Sequence, residues 1–412
     1  MSKFGFLRAV REIVPDLDLA DKHDRFFLGL FAVDIVLRLV WLNIPITLIF
    51  DEYSYVNAAR VILGHTPPNG LFPVVKLGLD PVTWHPPLAK LLIALSILFL
   101  GDNGFGWRLP SALLGSAAVL VFYLLIKKVS ADKNIALVAT FLFSFDNLIF
   151  IQSRIAMLDI FTLAFMLIGL YWYFSGHPYA SAIGIALSTL TKFTGASGFM
   201  VVVVVDAARH LSSDQFSHGS LIGSVKWCVT YAATYLLSFS LGLAALDYFW
   251  VGYGAFFGPF HRVSVPLGSH TSCQAVFYSS CPWQWLINQV PIRYGFGLSV
   301  GSVITFAMNP AILALAIPAI AYSSYSFLRK QNLFSLFNMV WFAVTYLPYY
   351  PFAIYWQAPT YIFYFLLAVP PLCAAIAFAI VDLRFPRTIV LAYLALVILL
   401  FLSTFPFKTI PP

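Results

Sequence analysis

Long apolar runs broken by short polar turns dominate this chain, and they set the reading of everything else. Eleven stretches approach the roughly 20 apolar residues that a helix needs to cross a bilayer. They are 26–49, 108–126, 134–151, 155–174, 179–194, 196–208, 221–246, 297–325, 333–350, 361–381 and 388–405. The runs are continuous rather than alternating, which excludes a transmembrane β-barrel. The fifth and sixth are short and flank a polar break at Lys192–Gly195, so one hairpin and two tilted helices both remain open. The pattern predicts an all-α polytopic membrane protein.

Composition agrees. Of 412 residues, 60% are hydrophobic and 10% charged, against roughly 45–50% and about 25% in soluble domains. The net charge of +7 reads as a record of topology rather than of nucleic-acid binding. With the N-terminus placed inside, fourteen of the 24 Lys and Arg residues fall on the inner side and nine on the outer, with Arg38 inside the first span. That bias predicts a cytosolic N-terminal segment, 1–25, without an apolar signal core. Two outer loops are long, 50–107 and 247–296, whereas every inner loop after the N-terminus is short. An active site is therefore expected on the extracytoplasmic face.

The first outer loop carries the chemistry. Asp51 and Glu52 open it at the end of span one, followed by YSYVNAARVIL and Gly64. Asp51 reads either as the N-cap of a short surface helix ended by Gly64 or as a carboxylate placed at the lipid–water boundary to take a proton. Next, His85-Pro86-Pro87-Leu88-Ala89-Lys90 reads as the start of a second surface helix, with the prolines in its first turn. The loop closes on Trp107-Arg108-Leu109-Pro110-Ser111-Ala112-Leu113-Leu114-Gly115, where Arg108 either snorkels or binds a lipid phosphate. Asp34 and Arg38, four residues apart within span one, read as a self-satisfying pair. Arg154 and Asp159 are expected to form an ion pair that orients the arginine. His261, His270, Cys273 and Cys281 lack the regular spacing of a zinc site, and a Cys273–Cys281 disulfide is the preferred reading.

Asp51-Glu52, HPPLAK at 85–90 and WRLPSALLG at 107–115, followed by FDNLIFIQSRIAMLDIF at 145–161 and Lys192-Phe193-Thr194-Gly195, resemble the polyprenyl-phosphate-dependent glycosyltransferases of the GT-C fold. The closest likeness is to the dolichyl-phosphate-mannose protein O-mannosyltransferases, whose relatives include the lipid A aminoarabinose transferases. It covers about residues 30–210 and divides the chain into a GT-C module, 26–210, and a variable C-terminal module, 211–412, in which Pro282-Trp283-Gln284-Trp285 is similar to a stretch of prokaryotic relatives. The loop after span seven has only about 50 residues, too few for the MIR domain of eukaryotic members.

The resemblance implies transfer of a sugar, with inversion, from a lipid phosphate to an acceptor hydroxyl. Such a reaction needs one base and cations on the phosphate. Asp51 matches the family's catalytic aspartate, and Glu52 would support it or orient the acceptor. Arg108, Arg154 and Lys192 are the implied donor-phosphate ligands. His85, Lys90, Asp146 and Asp159 are expected to bind substrate or to support the site. No metal or other cofactor is required, and the lipid-linked sugar serves as co-substrate. A protein Ser/Thr hydroxyl is the favoured acceptor, with a glycolipid or cell-envelope glycan as the alternative. A transporter or flippase is a further alternative, disfavoured because the halves show no repeat and the polar residues cluster at the outer face. Mannose from dolichyl phosphate mannose is the expected donor sugar, while the sugar's identity, dolichol against undecaprenol as carrier, and oligomerisation stay open.

Overall fold

The computed structural model describes residues 16–68, 70–72, 75–211, 218–251, 272–276, 278–295 and 303–403. It is a helical bundle, and the short polar breaks in the sequence supply its helix caps. Asp21, Asn103, Asp132, Asp146, Asn309 and Asn332 each accept backbone N–H bonds at the start of the helix that follows. Helices Gly104–Ser130 and Pro310–Lys330 finish on paired cations, Lys127-Lys128 and Arg329-Lys330, followed by a left-handed residue. Cations there complement the negative helix terminus.

Each of the eleven predicted stretches contains a helix, and among the described residues four helices are long and apolar enough to cross a membrane: Gly104–Ser130, Ile222–Trp250, Pro310–Lys330 and Ile362–Asp382. The last is the most enclosed, with 78% of its apolar window buried, and Ile222–Trp250 the most peripheral at 22%. At the centre, helix Asp159–Phe174 packs against Pro178–Thr191 and Gly104–Ser130, while Val369–Asp382 packs against Lys133–Ser144 and Pro310–Lys330. The resulting apolar core runs unbroken from Leu17 to Val397. Small residues permit the closest crossing. A Cβ on Gly184 would lie 3.1 Å from the Gly169 Cα, and one on Gly169 would lie 2.6 Å from the Ile185 side chain.

Several expectations are corrected. Span one, expected to reach residue 49, ends as a helix at Leu39, and an irregular segment then leads to Asp51. The eighth stretch starts later than expected, at Pro310, because Val303–Phe306 is a strand pairing antiparallel with Ile292–Gly295. The break at Lys192 separates two helices, Pro178–Thr191 and Ser197–Leu211, joined by a 3-10 turn, Phe193–Ala196. The second loop helix begins at Leu88, so Pro86 and Pro87 precede its first turn.

One end of the bundle gathers the residues expected to be cytosolic. Lys127 bonds Asp24 at 2.7 Å, Lys133 bonds Asp21 at 2.8 Å and Lys128 bonds Asp16 at 3.0 Å. The Tyr123 hydroxyl donates to Asp24 at 2.6 Å, and its ring stacks on Phe27 at 3.9 Å. Cys273 and Cys281 are disulfide-bonded, whereas Cys228 and Cys373 are free thiols.

The Gly169–Gly184 crossing leaves no room for a larger residue. Gly169→Leu is expected to lower stability by about 1–3 kcal/mol through overpacking, read as a depressed unfolding temperature of the detergent-solubilised protein.

Candidate active site

Asp51 and Glu52 are neighbours in sequence with opposite surroundings. Glu52 is fully buried. Its Oε1 accepts from the Arg108 Nε at 2.8 Å and the Ala156 N–H at 2.8 Å, and its Oε2 accepts from an Arg108 Nη at 2.8 Å and the Ile49 N–H at 3.0 Å. Both oxygens are thus engaged, and Glu52 joins three segments.

Arg108 is held as completely. Beyond the two bonds to Glu52, its guanidinium donates to the carbonyls of Leu42, Pro45 and Thr47 at 3.3, 2.7 and 3.0 Å. Five donors meet five acceptors within the protein. In this arrangement the expected phosphate ligand has all its donors engaged by the protein. Arg108 shapes the irregular segment that leads from the first helix to Asp51.

Arg154 is also turned inward. Its two Nη groups donate to the carbonyls of Leu37, Arg38 and Val40, closing the C-terminal turn of helix Lys22–Leu39. The expected Arg154–Asp159 pair does not form, because Lys192, brought in by the polar break, bonds Asp159 at 2.7 Å. Arg38 pairs with Asp34 as expected, at 2.7 Å.

Asp146 caps helix Asn147–Gln152 through Oδ1 and accepts the Asn309 N–H on Oδ2 at 2.9 Å. This deeply buried carboxylate ties the start of that helix to Asn309. Lys90 pairs with Asp80, a residue that the sequence reading missed, and donates to the carbonyls of Val82 and His85. It closes the turn that carries His85, whose ring lies 6.3 Å from that of Tyr55. Among the described residues no group of three or more His, Cys, Asp or Glu side chains is placed to hold a metal, and His261 and His270 lie outside the described residues.

The remaining groups converge. Asp51 begins helix Glu52–Ile62, yet its side chain makes no capping bond, so the capping reading is set aside. Its half-buried carboxylate lies within electrostatic reach of Lys192 and Asp159. Loss of water raises its pKa to about 6, with Lys192 opposing the shift and Asp159 adding to it. Lys192 lies over the Tyr364 ring at 4.4 Å and the Phe363 ring at 5.2 Å, a cation–π arrangement. Tyr55, Tyr361 and Tyr364 surround Asp51 closely enough for their charges to interact. Tyr361 and Tyr364 gave no signal in the sequence beyond the aromatic run at 361–365.

Comparison with known proteins gives the chain its relatives. The model of the family described as dolichyl-phosphate-mannose-protein mannosyltransferase matches residues 48–258, just over half of the chain. A polyprenol-phosphate-mannose–protein mannosyltransferase of Mycobacterium tuberculosis is 24% identical, with 88% of this chain and 83% of that protein covered. One from Mycolicibacterium smegmatis is 33% identical over 119 residues, 29% of this chain and 22% of its own length. Among solved structures, the Saccharomyces cerevisiae protein O-mannosyltransferase Pmt1–Pmt2 complex bound to the sugar donor superposes with a TM-score of 0.73 at 13% identity, covering 95% of this chain and 90% of its own. ArnT of Cupriavidus metallidurans in the apo state gives 0.54 at 15% identity, covering 90% and 62%.

Removing one partner of a buried ion pair strands the other. Glu52→Gln is expected to destabilise the protein by about 3–5 kcal/mol, more than Asp51→Asn does, in parallel thermal unfolding of the two purified variants.

Proposed function

The chain belongs to the dolichyl-phosphate-mannose-protein mannosyltransferase family, and from that premise we infer that it moves mannose from a polyprenyl phosphate carrier to Ser or Thr hydroxyls of proteins at the outer face of the membrane in which it is embedded. The observation that carries the reading is the state of Asp51. Among the described residues its carboxylate makes no hydrogen bond and no ion pair, although Glu52 beside it has both oxygens engaged.

Asp51 is the base. An acceptor hydroxyl bonded to it gives up its proton as the oxygen attacks the anomeric carbon, and the bond from that carbon to the phosphate oxygen breaks on the opposite face. The sugar inverts in one displacement, without a covalent sugar–enzyme intermediate. A carboxylate with its pKa raised to about 6 stays ionised at neutral pH and is a stronger base than an exposed aspartate.

Lys192 meets the leaving phosphate. Its ammonium carries three donors, of which Asp159 takes one. Arg108 and Arg154 add positive potential without giving up their carbonyl partners. Asp159 holds Lys192 in place, and the His85 turn, closed by Lys90, forms a wall beside Tyr55. The acidic N-terminal segment bound to Lys127, Lys128 and Lys133 lies at one end of the bundle. The excess of basic residues at that end supports a cytosolic assignment, which leaves Asp51 on the extracytoplasmic side.

Asp51→Asn is expected to lower turnover by about 10²–10⁴-fold while the protein still binds donor, measured with labelled polyprenyl-phosphate mannose and a Ser/Thr-rich peptide. Near-normal turnover in that variant would remove Asp51 as the base. Because the ionised form is the active one, kcat/KM should rise about tenfold per pH unit below about 6 and level off above it. A profile flat from pH 5 to 8 would count against the assignment.

A further inference from the structure

The residue before Asp51 is in a conformation that its type disfavours. Phe50 has φ +48°, in the left-handed region, where a bulky side chain is an outlier. It occupies the first central position of a tight turn in which the Glu52 N–H bonds the Ile49 carbonyl at 3.0 Å. Asp51, the second central residue, has φ −69° and ψ −5°. Turns with positive φ at the first position take glycine most readily, yet phenylalanine stands there.

Its ring has a defined setting. Phe50 meets Tyr278 at 5.9 Å, Phe363 at 5.7 Å and Tyr361 at 6.5 Å, each edge to face, the arrangement that aromatic quadrupoles favour. Tyr361 and Phe363 in turn stack on each other at 5.1 Å. Tyr278 lies inside the ring closed by Cys273 and Cys281 and is itself at φ +65°. That ring is fixed to the segment carrying Tyr361: the Ser280 N–H donates to the Thr360 carbonyl at 2.7 Å, and the Thr360 hydroxyl to the Ser280 carbonyl at 2.6 Å. Pro282 accepts from the Tyr346 hydroxyl at 2.9 Å. Three aromatic side chains from the C-terminal half thus hold a strained turn of the N-terminal half, one residue from the carboxylate.

We propose that Phe50 is a positioning residue: its ring, clamped by Tyr278, Tyr361 and Phe363, fixes the turn that aims the Asp51 carboxylate at the acceptor hydroxyl. Glu52 and Arg108 anchor the far side of the same turn, so Asp51 is held from both flanks while its own oxygens stay uncommitted. Backbone strain kept at a site by its surroundings is a recognised form of pre-organisation, and a carboxylate without hydrogen bonds has nothing of its own to hold its direction. The proposal rests on Asp51 as the base.

The test uses the full chain in detergent or nanodiscs, with polyprenyl-phosphate mannose and a Ser/Thr-rich peptide. Phe50→Gly keeps the backbone conformation accessible and removes the ring. It is expected to lower kcat by about 30–100-fold, the scale of a 1 Å misplacement, with donor affinity and acceptor KM changed less than about threefold. Phe50→Tyr, which keeps an aromatic ring, should restore most of the rate. Tyr278→Ala should lower kcat in the same manner and Tyr278→Phe should not. The Phe50→Gly/Tyr278→Ala double variant should be no slower than Phe50→Gly alone, as coupled residues behave. Phe50→Gly with normal kcat, a loss confined to donor binding or acceptor KM, or additive losses in the double variant would each overturn the proposal. Asp51→Asn is assayed in parallel. If it stays active, the base reading fails and the clamp with it; if it is inactive while Phe50→Gly turns over normally, the clamp alone fails.

Discussion

The buried pair between Glu52 and Arg108 is the constraint on which the Asp51 end of this protein is built. An ion pair sealed from water gains little net stability over an apolar pair, but it is costly to break. Here it collects what would otherwise be loose. The carbonyls of Leu42, Pro45 and Thr47, the N–H groups of Ile49 and Ala156, and the start of the Glu52–Ile62 helix all terminate on these two side chains. Irregular backbone at this depth needs its polar groups satisfied by the protein itself. One glutamate and one arginine do that for a segment without regular structure, and so define where Asp51 stands.

The division of labour between adjacent carboxylates follows from access to partners. Glu52, reached by Arg108 and two backbone amides, is held down and unavailable. Asp51, one residue earlier, is reached by none of them and keeps its basicity. Lys192 shows the complementary case. It is positioned by a single carboxylate and two rings, which fix its place and leave donors over. An arginine with five protein acceptors is structural; a lysine with one can serve a ligand.

Much of this was legible in the sequence and some could not be. Apolar runs gave the helices, because lipid demands long apolar stretches whatever their neighbours. Asp51-Glu52 stood out as paired charges at the end of a run, and Asp34–Arg38 as an i,i+4 pair that helix geometry alone brings together. Which of Asp51 and Glu52 would be sealed depended on Arg108, 56 residues after Glu52, and on the Ala156 amide. A backbone N–H or carbonyl has no letter of its own, so the carbonyls that hold Arg108 and Arg154 left no trace. Asp159 was paired with the nearest cation in sequence, and the fold supplied one 33 residues away. Tyr361 and Tyr364 were hidden for another reason: in a chain with 17% aromatic residues, a ring at the site looks like a ring in lipid.

The node around Asn309 bears on how such a chain can be divided. Its N–H bonds Asp146, and its amide nitrogen donates to the carbonyls of Phe145 and Val397, joining segments from three regions at one side chain. A chimera that kept residues up to about 210 and took its remaining helices from a relative would carry Asp146 and Phe145 but have to import an amide in register with them. Without it, the Phe145 carbonyl would lose this donor, whereas the bond to Asp146 needs only a backbone N–H at the same place. Residue similarity along such a chain can fade at a boundary that the hydrogen bonds do not respect.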